Sequence, residues 1–245
     1  MNVKTLLAVL VGGFMFSLQA ELTTYTWVGG SSGNYEDAAN WDPQPTTYPS
    51  GTDTALVFTN SADVTFVKWI TNAKVTVAKG TVNFNTSTSS MRYKGGTADG
   101  SPVVYDVAKG AIFRPVNYNQ SWTAYNASGC DIVVKGGGTV YFYVSLGESA
   151  TDCPKSMDVQ EGTVIMGAPR GTMNLTGTLT IRSGATFKGQ PAWFPDPPGQ
   201  HLAAQTKIVV EENGVLDYYT RGTFGTLSGA GTVKNSGSYA GWVFG

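Results

Sequence analysis

The sequence predicts an all-β fold, a single-stranded parallel β-helix or β-solenoid, and three observations carry that prediction. Glycine is abundant, 31 of 245 residues, against an average of about 7%. Charged residues make up only 13%, so the chain is rich in turn formers and poor in the straight-chain residues that favour helix. The third observation is a recurring pattern in which two alternating apolar positions lead into a glycine turn that opens another alternating strand.

The pattern occurs about seven times. Its copies are Val75-Thr-Val77-Ala-Lys-Gly80-Thr-Val82-Asn-Phe84, Tyr105-Asp-Val107-Ala-Lys-Gly110-Ala-Ile112, Ile132-Val-Val134-Lys-Gly-Gly-Gly138-Thr-Val140-Tyr-Phe142 and Met157-Asp-Val159-Gln-Glu-Gly162-Thr-Val164-Ile-Met166. Then come Leu179-Thr-Ile181-Arg-Ser-Gly184-Ala-Thr-Phe187, Ile208-Val-Val210-Glu-Glu-Asn-Gly214-Val-Leu216-Asp-Tyr218 and the shorter Leu227-Ser-Gly-Ala-Gly231-Thr-Val233. A two-residue period puts alternate side chains on one face, so each copy is two short half-buried strands around a corner. Glycine suits the corner because the chain turns sharply there, often through positive φ. The corner glycines are 17 to 30 residues apart, a length that fits one solenoid coil. One coil cannot bury its apolar face, but coils stacked about 4.8 Å apart build one continuous interior. The longer steps become outer loops such as the proline-rich stretch from Gln190 to Gly199. A β-sandwich also shows regularly spaced strands and turns, and the shared glycine corner favours the solenoid over it. Two corners, Gly138 and Gly214, carry an extra residue before the turn, and Thr186 stands where an apolar residue is expected after Gly184.

The start of the chain reads as an export signal over residues 1–20, with Lys4 as the positive region, Leu6 to Phe16 as an apolar or glycine run, and Leu18-Gln19-Ala20 as the cleavage site. The apolar run is about half of the roughly 20 residues that span a bilayer. Cleavage is expected before Glu21, leaving an exported protein, periplasmic, cell-surface or secreted, without an integral membrane segment. Residues 21–70 are then an N-terminal cap with the first strands, and 71–245 the solenoid repeats. A formal net charge of −1 gives no basic surface for nucleic acid.

The segment Thr24-Tyr-Thr-Trp27-Val-Gly-Gly-Ser-Ser-Gly-Asn-Tyr-Glu-Asp-Ala-Ala-Asn40-Trp41-Asp42 and the unit Leu227-Ser-Gly-Ala-Gly-Thr-Val-Lys-Asn-Ser-Gly237 resemble the opening and the glycine-rich repeat of autotransporter-associated β-strand repeat proteins and related exported β-helix proteins of environmental bacteria. That resemblance implies a right-handed parallel β-helix that serves as a surface or secreted passenger, often adhesive. A translocating β-barrel of the kind that completes a full autotransporter is not seen after the repeats.

Chemistry is sparse. A glycoside hydrolase needs two carboxyl groups at a set separation, whereas Asp106, Asp158, Glu161, Glu211, Glu212 and Asp217 are single or adjacent and mostly on turns. A lyase needs an acidic calcium cluster beside a base such as Arg170, Arg182 or Arg221, and no such cluster is evident. His201 is the only histidine, too few for a common zinc or non-haem iron motif. Gly29-Gly30, Gly95-Gly96 and Gly136-Gly137-Gly138 open no helix and read as turns. No catalytic, cofactor or metal residues are therefore assigned, and the expected role is structural or adhesive. The alternative is a carbohydrate-binding or polysaccharide-degrading β-helix, with Tyr118, Trp122, Tyr125, Trp193 and Phe194 as candidate ligand-contact aromatics. Candidate partners are glycans or other surface proteins.

Two further expectations concern structure. Cys130 and Cys153 precede successive corners by eight and nine residues and are expected to form a disulfide between neighbouring coils. Trp27 and Trp41 are expected to cap the first coil. At the other end, either the terminal aromatics plug the last coil, or the chain continues or self-associates there.

Overall fold

The computed structural model describes residues 21–86, 93–97, 100–115, 124–126, 130–142, 145–146, 154–166, 175–189, 206–218, 222–236 and 242–244. The expected signal segment, Cys153, Tyr118, Trp122, Trp193, Phe194, Arg170, His201 and Arg221 lie outside them.

The fold is all-β, with long parallel sheets and a single helical turn, the 3-10 segment Ala38–Asn40, among the described residues. The largest sheet has ten strands. In spatial order they are Trp41–Asp42, Thr23–Trp27, Thr54–Phe58, Lys74–Val77, Val103–Val107, Ile132–Lys135, Met157–Val159, Thr178–Ile181, Lys207–Val210 and Thr226–Gly229. The second sheet has nine: Ser32–Asn34, Ala62–Phe66, Thr81–Thr86, Ile112–Arg114, Thr139–Phe142, Thr163–Met166, Thr186–Gly189, Val215–Tyr218 and Thr232–Lys234. A four-stranded sheet joins Ile70–Asn72, Tyr93–Gly95, Ala124–Asn126 and Ser145–Leu146, and Gly222–Phe224 pairs with Trp242–Phe244. From Thr54–Phe58 onward, each strand of the first sheet is followed along the chain by one of the second. Among the described residues every pairing of strands is parallel except Trp41–Asp42 against Thr23–Trp27, and one isolated antiparallel bridge joins Ala108 and Gly137.

Parallel register turns the alternating pattern into interior columns. In the first sheet Leu56, Val75, Tyr105, Val134, Val159, Ile181 and Val210 sit opposite one another strand by strand. The second sheet aligns Ala62, Val82, Phe113, Val140, Val164, Phe187, Leu216 and Val233. All but Val233 are buried, and Val233 packs partly buried against the same core. Between the columns runs a series of ring contacts, most of them edge-to-face. Phe84 meets Tyr35, Phe58, Phe66, Tyr93 and Phe113 at centroid distances of 5.2 to 6.1 Å, and Tyr105 carries the series on to Phe113 and Phe142. Each such pair contributes about 0.5–1.5 kcal/mol beyond area burial.

The corners follow the glycines with two refinements. Gly80, Gly110, Gly162 and Gly184 take positive φ, the region where an L side chain is strained. Thr186 is aligned with Thr163 and Val215 on the outer face, while Phe187 enters the column. The turn at Gly184 is thus one residue longer than that at Gly162, and the threonine is an outward residue, not a defect in the core. Asn213, with φ 64°, takes the left-handed position that Gly184 fills one strand earlier. Asn tolerates that region better than other side chains, which leaves Gly214 free to pass close to the backbone of Ile181 and Arg182. The extra residue before Gly138 is absorbed by Gly136 and Gly137, both at positive φ.

That extra residue also decides the surroundings of Cys130. Ile132 aligns with Met157, so Cys130 falls opposite Lys155, whose backbone N–H donates to the Cys130 carbonyl at 3.0 Å. Counting by corners alone sets Cys130 against Cys153, two residues short of this register, and the disulfide expected between them is not formed. Cys130 is a free cysteine, half-buried against the core.

Two sets of variants test the corner and column readings by urea denaturation. Gly110→Ala meets only the left-handed backbone, because a Cβ there has open space around it, and is expected to destabilise by about 1–2 kcal/mol. Gly162→Ala is expected to lose clearly more, because its Cβ would overlap the backbone of Gly137 and Gly138. Phe84→Ala is expected to lose about 3–5 kcal/mol. Equal midpoints for the two glycine variants would refute the close-approach argument.

Candidate functional site

The outer faces carry charge in ladders. On the first sheet Asp106 lies between Lys74 at 3.9 Å and Lys135 at 3.6 Å, and Arg182 bridges Asp158 at 2.8 Å and Glu211. Donating to Asp158, then to Glu211, holds the Arg182 guanidinium above its already high usual pKa. On the second sheet Asp63 accepts from Asn83 at 2.6 Å, Asn83 accepts from Arg114 at 3.0 Å, and Arg114 stands over the Tyr141 ring. Farther along, the buried Asp217 accepts from the backbone and hydroxyl of Ser236 and pairs with Lys234 at 3.7 Å. The carboxylates singled out in the sequence are therefore met by cations or donors of adjacent strands, apart from Glu161 and Glu212, which are exposed at turns. Among the described residues no three metal-ligating side chains converge, and no helix is long and apolar enough to cross a membrane.

The N-terminal segment is a compact knot. Trp27 and Trp41 face each other across the antiparallel pair, T-shaped with centroids 5.0 Å apart, and both rings pack on Phe58. Their indole N–H groups donate to Gly30 O and Tyr35 O, each at 2.9 Å. Asn34 accepts from Glu36 N, Asp37 caps the 3-10 turn through Ala39 N, and Asn40 returns to Asn34 O. These short side chains satisfy the backbone of a turn too tight for strand pairing. Tyr35 is fully buried at the centre, its hydroxyl donating to Pro49 O at 2.6 Å.

The knot projects Glu36 towards the segment between the strands Ala62–Phe66 and Ile70–Asn72. Glu36 Oε1 accepts the backbone N–H groups of Val67 and Lys68 at 2.7 and 2.8 Å, while Oε2 is buried without a hydrogen-bond partner. Ser50 Oγ accepts from Thr71 N, and Lys68 Nζ lies 5.6 Å from the centroid of the Tyr48 ring. Glu36, Thr47, Tyr48, Ser50 and Lys68 together line an open recess of about 610 Å³. Trp69, next along the chain, is 40% exposed.

No protein family, curated protein or solved structure matches the chain.

Of the aromatics proposed as ligand contacts, only Tyr125 falls in a described segment, where its backbone pairs with Tyr93 and Leu146. The recess was not visible in the sequence because its residues come from three separated turns. Its one sequence signal is the aromatic and hydroxyl run Thr46-Thr47-Tyr48-Pro49-Ser50.

Tyr35 and Tyr93 give the protein an alkaline limit. Burial raises both phenol pKa values, and for Tyr35 the neighbouring Tyr93, Tyr48 and Glu36 raise it further. Unfolding returns both groups to water, where they ionise at about pH 10. The stability they contribute is thus complete below that pH and is lost as pH rises towards their folded-state values. Urea midpoints are expected to fall above about pH 10, and to fall less steeply in Tyr93→Phe; an unchanged slope would contradict this.

Proposed function

We propose that the chain is an exported β-solenoid, a right-handed parallel β-helix of the autotransporter-associated β-strand repeat kind, with a structural or adhesive and non-catalytic role. The observation that carries the reading is the in-register parallel stacking of successive glycine-cornered segments in two long sheets. A chain that winds once per segment produces that order, since each turn returns to the first sheet beside its predecessor. Right-handed winding follows the strong general preference of parallel crossover connections.

The outer faces support the non-catalytic part. Asp106, Asp158 and Glu211 are tied into ion-pair ladders along the stack, and Asp217 is buried beneath Ser236. Carboxylates held this way stabilise stacking and are poorly placed to protonate a leaving group or attack a sugar carbon. An adhesive role uses what such a stack offers, a long regular surface that carries loops without altering the core.

Expression of the full chain in a Gram-negative host, followed by fractionation and intact mass, is expected to yield a protein outside the cytoplasm beginning at Glu21. Incubation of that protein with neutral and acidic polysaccharides is expected to release neither reducing ends nor unsaturated products. Retention of residues 1–20 in the cytoplasm would overturn export, and steady turnover of any polysaccharide would overturn the non-catalytic role.

A further inference from the structure

We propose that the recess formed by Glu36, Thr47, Tyr48, Ser50 and Lys68 is a binding site for an uncharged saccharide. The inference stands on this recess alone and does not depend on export or on the solenoid reading.

Size is the first argument. About 610 Å³ lies within the roughly 300–1,000 Å³ of small-ligand sites, and its open mouth suits the end of a larger glycan. The second argument is the state of Glu36. Two backbone N–H groups fix Oε1, so the carboxylate is oriented before any ligand arrives, and Oε2 has no partner. A buried polar atom without a hydrogen bond is costly, by about 1–3 kcal/mol and more for a charged group, and such atoms are uncommon in native proteins. A ligand hydroxyl donating to Oε2 removes that cost once a neighbouring side chain shifts to uncover the oxygen. Lys68 is exposed, and its flexible side chain can swing aside to admit the ligand.

The composition of the lining selects the class. One carboxylate and one ammonium leave the walls without net charge, so a uronate or a phosphate meets Glu36 unfavourably and an amine meets Lys68. A sugar satisfies both, because each hydroxyl donates and accepts. Ser50 Oγ accepts from Thr71 N and keeps its own proton to donate, and Thr47 adds a second hydroxyl. The Tyr48 ring in the lining supplies the apolar contact that sugar C–H faces need.

The test is isothermal titration of the protein spanning residues 21–245 with glucose, galactose, N-acetylglucosamine, their β-linked disaccharides and galacturonate. Saturable binding of at least one neutral sugar is expected, weakened tenfold or more in Glu36→Gln, which retains the acceptor towards Val67 and Lys68 but turns the Oε2 position into a donor. Thr47→Val, at an exposed position of the lining, is expected to weaken binding with an unchanged circular dichroism spectrum, so a folding defect in the first variant cannot mask the result. No binding by any neutral sugar at millimolar concentration, binding unaffected by both substitutions, or tighter binding of galacturonate than of the neutral sugars would each overturn the proposal.

Discussion

The structure depends on one constraint: in a parallel in-register stack, every side chain has its equivalents from the neighbouring strands about 4.8 Å away on both sides. A position is therefore never a single residue. It is a column, and a choice that suits one strand must suit the strands on either side. Facing inward, the constraint demands continuous apolar character, met by the columns from Leu56 to Val210 and from Ala62 to Val233. Facing outward, it forbids long rows of like charge. The first sheet answers with ion pairs between neighbouring strands, in register or diagonal: Asp106 with Lys74 and Lys135, then Arg182 with Asp158 and Glu211.

The two answers differ in weight. Ion pairs on exposed faces contribute about 0–1 kcal/mol each, and the Arg182 side chain is 45% exposed. Burying a Val, Leu, Ile or Phe side chain contributes about 1.5–3 kcal/mol, and nearly every strand of the two large sheets inserts at least one. The columns hold the fold, and the ladders keep neighbouring strands compatible. The N-terminal knot obeys a different rule. It spends short polar side chains on its own backbone, which lets the chain leave the ladder geometry and deliver Glu36 to the recess.

What was legible in the sequence was whatever is periodic. Alternation such as Val82, Phe84 and Ile132, Val134 marks the inward faces, and the glycine corners mark where strands end. The reading failed where phase depends on turn geometry. An extra residue before Gly138 moves Cys130 opposite Lys155, and Asn213 substitutes for a glycine at a left-handed corner; neither shift can be counted without knowing which turn residue carries positive φ. The recess was illegible for another reason. Glu36, Tyr48 and Lys68 are brought together by tertiary folding of three turns, and no spacing along the chain records that meeting.

The order of strands in the first sheet has a mechanical consequence. Thr23–Trp27 lies beside one edge and Thr226–Gly229 forms the other, so these two strands are separated across the ladders and not along the strands. A load applied between them pulls in the direction of the inter-strand hydrogen bonds, which then open one strand at a time instead of resisting together in shear. Yielding begins where the interior is thinnest, at the largely exposed Thr226–Gly229 and Thr232–Lys234, while the tryptophan knot holds the opposite end. Under such a load the stack opens from that end, and the strands not yet reached keep their pairing.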